Sequence, residues 1–329
     1  MKLPEEADRI AEDIRSMRVR GAGLIARSAV EALQIVARDS KAKDTESFVN
    51  DLTDAARILL QTRPTAVSLP NGIRYVMHRV NAGKGRAGSV EEMRGIAIGA
   101  AGEFIENAKT AVQRIGEIGA RRIVEGDILL THCNSSAAIE IMKTAWREGK
   151  KFEVLVTETR PRFQGHITAH ELATAGIPVT LILDDAVRYF IQRVNKVIVG
   201  ADAVTANGAL VNKIGTSMVA LAAHEARVHV FVAAETYKFS PETMIGELVT
   251  IEERDSSEMI SEEQKRRIGS IKVRNPSFDV TPPEYIDLII TERGIIPPLG
   301  AVMILEEVFG VVTPEELHEY QTYSLHEDE

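Results

Sequence analysis

The sequence predicts an α/β protein with an all-helical N-terminal domain over residues 1–122 and an α/β domain with a mainly parallel sheet over 123–329. Two observations carry this. Up to about residue 120, apolar residues recur at three- and four-residue spacing, the period of amphipathic helices. From Gly126 onward, short continuous Val/Ile/Leu runs alternate with amphipathic segments, as parallel strands covered on both faces require.

In the first part the periodicity predicts helices over Pro4–Met17, Leu24–Arg38, Glu46–Gln61 and Val90–Ile118. In the second, strands are predicted at "DILLTHC" (127–133), "FEVLVTET" (152–159), "PVTLILD" (178–184), "KVIVGAD" (196–202), "VHVFVAAE" (228–235) and "YIDLIIT" (285–291). Helices over Ala137–Trp146, Gly165–Ala175, Ala186–Arg193 and Ile214–Glu225 separate them, which makes the domain Rossmann-like. The charged segment 251–280 reads as a surface excursion, and "TPEE" (313–316) has the spacing of a capping box opening a terminal helix.

Composition narrows the function. The chain has 329 residues, 44% hydrophobic and 26% charged, which excludes disorder and a disulfide scaffold. One cysteine forms no internal disulfide and points to a reducing, cytoplasmic setting. The charged N-terminus lacks the apolar core of a secretory signal, and no apolar run approaches the ~20 residues that span a bilayer, so a soluble protein is expected. A net charge of −9 opposes nucleic acid and anionic membranes as partners; an anionic ligand must meet a local cluster of cations.

In a parallel sheet, ligands gather at the carboxyl ends of the strands. That rim carries Cys133 with Asn134, Glu158 with Thr159 and Arg160, Asp184 with Asp185, Asp202, and Glu235. Cys133 reads either as a small buried hydrophobe or as a thiol whose pKa is lowered by the following helix N-terminus. Asn134, Ser135 and Ser136 are typical N-cap residues that present hydroxyl and N–H groups to a phosphate. Asp202 is either a turn residue or an acid; the "ANG" after it, with Asn212 and Lys213 before a helix, builds a second anion site.

"RGAGLIARSA" (20–29) nominally matches a dinucleotide fingerprint, but a charged helical pattern precedes it where a buried strand is required. It reads instead as a glycine turn entering a helix with Arg20 at its mouth, either an anion site or a flexible connection. Arg160 and Arg162 lie beside the rim. His166 and His170 share a helix face at a spacing some metal sites use, but with no third ligand or HExxH they read as rim hydrogen-bonding residues, and no metal is expected. Lys238 and Arg63 read as surface cations by default.

Together "RGAG", "TRPT", "THCNSS", "ETRPRFQG", "GADAVTANGALVNKIGT" and "VAAETYKF" resemble one superfamily. It holds the methylthioribose-1-phosphate isomerases, the archaeal ribose-1,5-bisphosphate isomerases and the regulatory alpha, beta and delta subunits of the initiation factor 2B exchange factor. The sequence most resembles the ribose-1,5-bisphosphate isomerases. Cys133 and Asp202 match the pair those enzymes carry and the translation subunits generally lack, while the methylthioribose enzymes usually have a glycine soon after cysteine–asparagine and another sequence at "ETYKF".

The resemblance implies a conversion of ribose 1,5-bisphosphate to ribulose 1,5-bisphosphate, with Cys133 and Asp202 catalytic. It places substrate contacts on Arg20, Gly21, Ala22, Gly23, Arg63, Asn134, Ser135, Ser136, Asn212, Lys213 and Lys238. It also implies no cofactor, a homohexamer built as a trimer of dimers, activation by AMP, and a place in archaeal nucleoside-phosphate salvage. Methylthioribose-1-phosphate isomerase and a regulatory translation subunit are the alternatives. The residue inventory favours the bisphosphate: a methylthio tail needs an apolar pocket, whereas two phosphates need the cations and N–H donors present here.

Overall fold

The computed structural model describes residues 2–19, 21–63, 67–84 and 86–309. Two compact units divide the chain, one running through Thr110 and the other from Ala111 to Val308. No described helix is long and apolar enough to cross a membrane.

The first unit is helical: α1 (Glu5–Arg15), α2 (Ala22–Asp39), α3 (Thr45–Leu60), α4 (Ser68–Gly83) and α5 (Val90–Ala120), the last continuing past Thr110 into the second unit. α2 buries a face of Ile25, Ala26, Ala29, Val30, Leu33 and Val36. α3 starts where Asp44 accepts the Ser47 N–H at 2.7 Å, satisfying one of the donors a helix leaves open at its start. The sequence did not predict α4. Pro70 stands in its first turn, where no backbone N–H is needed, so the helix tolerates it.

The second unit is a doubly wound sheet. β1 (Ile128–Thr131), α6 (Ser136–Arg147), β2 (Glu153–Thr157), α7 (Gln164–Thr174), β3 (Val179–Ile182), α8 (Val187–Phe190), β4 (Lys196–Gly200), α9 (Thr216–Ala226), β7 (His229–Ala233) and β9 (Leu288–Thr291) realise every strand predicted. With β10 (Gly294–Ile296) they form a seven-stranded sheet ordered β10-β9-β7-β4-β1-β2-β3, parallel except for β10. The chain thus builds outward from β1 through β2 and β3, then returns to lay β4 on the other side of β1 and continue through β7 and β9. Its buried faces, among them Leu129, Val154, Val156, Ile198, Phe231 and Ile290, join α5 and α6 side chains in one core.

Three features differ from the sequence-based expectation. "ADAVTANGALVNK" is a hairpin of β5 (Ala203–Val204) and β6 (Leu210–Lys213), turned at Asn207-Gly208, with Gly208 at φ 82° as such turns demand. Segment 251–280 supplies α10 (Glu262–Ile268) and β8 (Phe278–Thr281), which pairs with β6 to complete a second, antiparallel sheet. The helix expected over Ala186–Arg193 is broken: α8 is one turn long, between 3₁₀ turns. The last described helix, α11 (Ala301–Phe309), was not predicted, and "TPEE" lies outside the described residues.

Candidate active site

β1 and β4 are neighbours whose chains leave in opposite directions, so their carboxyl ends open a crevice at the point where the strand order reverses. Cys133 follows β1 and Asp202 follows β4. Gly200 closes β4 beside the Ser135 side chain, where a Cβ would collide with it, so glycine lets the start of α6 sit against β4. Ser135 is the N-cap of α6, accepting the Ala138 N–H at 3.3 Å, and Ser136 is the exposed first residue of that helix.

Cys133 stands in the left-handed region at φ 68°. Its N–H donates to Thr159 Oγ1 at 2.9 Å and its carbonyl accepts from Thr168 Oγ1 at 2.8 Å. Thr168 Oγ1 in turn accepts from Asn134 Nδ2 at 3.0 Å. Cys133 as a residue is half-buried, and burial of its thiol pushes it up to about 12, Lys213 pulling down and Asp202 and Asp184 adding to the rise. The helix N-terminus was expected to lower it; loss of hydration is the larger effect.

Lys213 ends β6 as a buried residue with Nζ 4.8 Å from the centre of the Phe278 ring. Burial pulls its pKa below the ordinary lysine value, against Cys133 and Asp202, which favour the charged form; Arg254 adds to the lowering. Cys133, Asp202 and Lys213 therefore form one electrostatic cluster at the crevice. Half-buried Asp202 is tied back to the hairpin by its own N–H, which donates to the Val211 carbonyl at 3.0 Å.

The anion site expected at the start of α9 is already filled. Asp279 of β8 accepts the Gly215 N–H at 2.8 Å and the Ser217 N–H at 3.1 Å, and its own burial raises its pKa to about 6. Asn212 is buried and donates Nδ2 to Thr216 Oγ1 at 3.0 Å. Lys238 is no surface lysine: it is buried and paired with Glu235 at 2.7 Å, and the Tyr237 hydroxyl donates to the same carboxylate. Arg162 pairs with Glu258, while His166, its ring tilted against Phe163, and His170 are exposed.

Within the helical unit, Gly21 (φ 84°) precedes α2, Ala22 and Gly23 form its first turn, and the Ala22 carbonyl accepts from Ser68 Oγ at 2.8 Å. Arg63 is half-buried beyond the end of α3. Arg20 lies outside the described residues.

Sequence reasoning placed Asp184, Thr159 and Arg160 on the rim but gave them no role, and it missed His132 and Thr157. Asp184 accepts the Thr159 and Arg160 N–H groups at 2.8 and 2.7 Å, fixing the loop after β2. His132 is 2% exposed; its Nδ1 lies 2.7 Å from Thr157 Oγ1 and its Nε2 2.9 Å from the Ile214 carbonyl. The hint for His132 and Thr157 in sequence was that threonines and a histidine, rather than apolar residues, close β1 and β2. His132 and Asp184 also line a cavity of about 300 Å³ with Asp185, Arg188, Met218 and Glu225; Cys133 and Asp202 do not line it.

A doubly wound sheet with a thiol, a carboxyl group and a lysine gathered where its strand order reverses defines an α/β protein built to act on a small anionic ligand. The chain belongs to the initiation factor 2 subunit family, which it matches over residues 18–298. It is 55% identical over 311 residues to the ribose 1,5-bisphosphate isomerase of Thermococcus kodakarensis, covering 94% of this chain and 97% of that one. It is 56% identical over 312 residues to the enzyme of the same name from Archaeoglobus fulgidus, covering 95% and 96%. Among solved structures it resembles the translation initiation factor eIF-2B of Pyrococcus horikoshii, with a TM-score of 0.76 and 34% identity over 90% of this chain and 98% of that one.

Proposed function

We propose that this chain is a ribose 1,5-bisphosphate isomerase in which Cys133 and Asp202 carry the proton transfers. The observation that supports the assignment is their placement on adjacent strands at the crevice, with Lys213 acting on both. Ser135 and Ser136 at the start of α6 offer N–H and hydroxyl donors suited to a phosphate. The resemblance adds the glycine turn before α2, Arg20 and Arg63 as further substrate contacts.

In ribose 1,5-bisphosphate the anomeric oxygen is esterified, so the ring cannot open as in a free sugar. Asp202, protonated, gives its proton to the ring oxygen as the C1–O4 bond breaks, leaving an oxocarbenium ion at C1. That cation acidifies the C2–H bond, and Cys133 as thiolate takes the proton to give a phosphoenol. Asp202, now ionised, accepts the C2 hydroxyl proton as the ketone forms, and the Cys133 thiol returns a proton to C1. Both residues end as they began and no electrons leave the substrate.

Burial of the thiol says what this step demands. Burial holds the proton on most of the resting thiol, so the reactive form is the minor fraction that has released its proton to solvent. That thiolate is favoured by positive charge, from Lys213 and from the oxocarbenium ion once the ring is open. Ring opening therefore comes before proton abstraction.

Purified protein given ribose 1,5-bisphosphate is expected to form the ketose, and C133S and D202N to abolish turnover while remaining folded. Turnover of methylthioribose 1-phosphate alone would overturn the substrate assignment. Turnover of neither sugar, with binding to initiation-factor subunits, would make the protein regulatory. Reaction in deuterated water is expected to place deuterium in the product; full retention of the C2 hydrogen would replace proton transfer by a hydride shift.

Self-association as a hexamer, a trimer of dimers, is the assembly we infer from the resemblance, supported by exposed Leu183, Tyr189 and Met218 in the α/β unit. Activation by AMP and a place in nucleoside-phosphate salvage follow the same resemblance, and a cytoplasmic setting follows from the single cysteine. Light scattering and rate measurements with and without AMP test these.

A further inference from the structure

A series of side-chain contacts through Thr159, Thr157 and His132 joins the Cys133 turn to the residue after β6. The Cys133 N–H donates to Thr159 Oγ1 at 2.9 Å. The Thr159 hydroxyl faces the Thr157 carbonyl at 3.3 Å and the Thr157 hydroxyl at 3.4 Å. Thr157 Oγ1 lies 2.7 Å from His132 Nδ1, and His132 Nε2 lies 2.9 Å from the Ile214 carbonyl.

A carbonyl only accepts, so Nε2 carries the imidazole proton and Nδ1 accepts from Thr157. Thr157 having spent its hydrogen on His132, Thr159 is the donor toward Thr157. Its single hydrogen is shared between the Thr157 carbonyl and hydroxyl oxygens, and through the hydroxyl the series points from Cys133 toward Ile214, the arrangement in which each bond polarises and strengthens the next. Protonating His132 would turn Nδ1 into a donor and break the series. Burial keeps the ring neutral, with Lys213 acting the same way and Asp184, 4.0 Å from Nδ1, opposing.

The two ends of the series matter. One holds Cys133 at a positive φ that a cysteine adopts only when its surroundings impose it. The other grips the residue directly after Lys213.

We propose that His132 is a positioning residue for the reaction: it locks the turn bearing Cys133 to the strand end bearing Lys213, and so sets the thiol against the lysine and Asp202. This rests on the assignment of the chemistry to Cys133. His132 itself does not touch the reacting atoms in this scheme. It acts through Thr157 and Thr159 on one side and Ile214 on the other.

The test uses turnover together with alkylation of Cys133 by iodoacetamide across pH. For H132F, kcat is expected to fall about 100-fold, the cost of misplacing a reacting group by about 1 Å, with KM changed less than about threefold. Alkylation at pH 8 is expected to speed up by about tenfold, because the freed turn brings the thiol out of its buried seat. H132Q, which keeps a donor toward Ile214, is expected to recover at least about tenfold of the lost kcat.

A folded H132F with wild-type kcat and a wild-type alkylation profile, whatever its melting temperature, overturns the proposal. Should H132F not fold, T157V decides: slower turnover with faster alkylation supports the series, and wild-type values of both overturn it. Alkylation reads the position of the thiol whether or not Cys133 does the chemistry. An active C133S would therefore refute the catalytic assignment, and an unchanged alkylation profile would refute the positioning role.

Discussion

Cys133 keeps its proton in the free protein because lost hydration outweighs the nearby positive charge of Lys213. Removing that charge should deepen the effect. K213M is expected to raise the thiol pKa further and slow alkylation at every pH below it, and to cut kcat/KM by at least about 100-fold, or about 2.7 kcal/mol. Iodoacetamide kinetics and steady-state rates measure the two effects on one preparation. Cys133, Asp202 and Lys213 were legible in sequence because each stands where an apolar run stops. Their electrical state was not, because it depends on how much water the folded crevice removes. The same limit explains Lys238, whose partner Glu235 lies three residues away but whose burial only the fold reveals.

The strands of the main sheet could be read directly, since a strand buried on both faces is a continuous apolar run. The hairpin of β5 and β6 could not, because its Asn-Gly turn also looks like an anion-binding loop, and β8 is a four-residue strand inside a charged segment. The meeting of elements at Gly200 was equally silent in sequence, since the collision partner, Ser135, belongs to a different part of the chain. G200A is expected to cost about 1–3 kcal/mol in urea unfolding, the range for forcing an extra methyl into packed structure. S135G removes the obstructing side chain at the small cost of a glycine N-cap. The double variant S135G/G200A should therefore be more stable than the two separate effects predict, and strict additivity would show that the contact does not hold α6 against β4.

At the scale of the whole molecule, Asp279 links stability to pH. Its pKa is about 6 in the folded protein against an ordinary value near 3.8, so the folded state holds this proton more tightly than the unfolded chain. The stability it contributes is full below pH 3.8 and is lost as pH rises through 6. D279N cannot titrate. The stability of wild type relative to D279N is expected to fall by about 2 kcal/mol between pH 4 and pH 7.5, measured by urea unfolding at each pH. A constant difference would mean that the carboxyl group titrates normally.

The strand order has one more consequence. β1, β2 and β3 grow to one side of the crevice and β4, β7 and β9 to the other, so the crevice is a seam between two halves of the sheet. One half brings the thiol and the other brings the carboxyl group. Under the proposed chemistry, cleavage of the chain between β3 and β4 would leave each fragment with half of the reacting pair. Turnover by mixed fragments would then count how many seams had closed, making the chemistry itself a gauge of assembly.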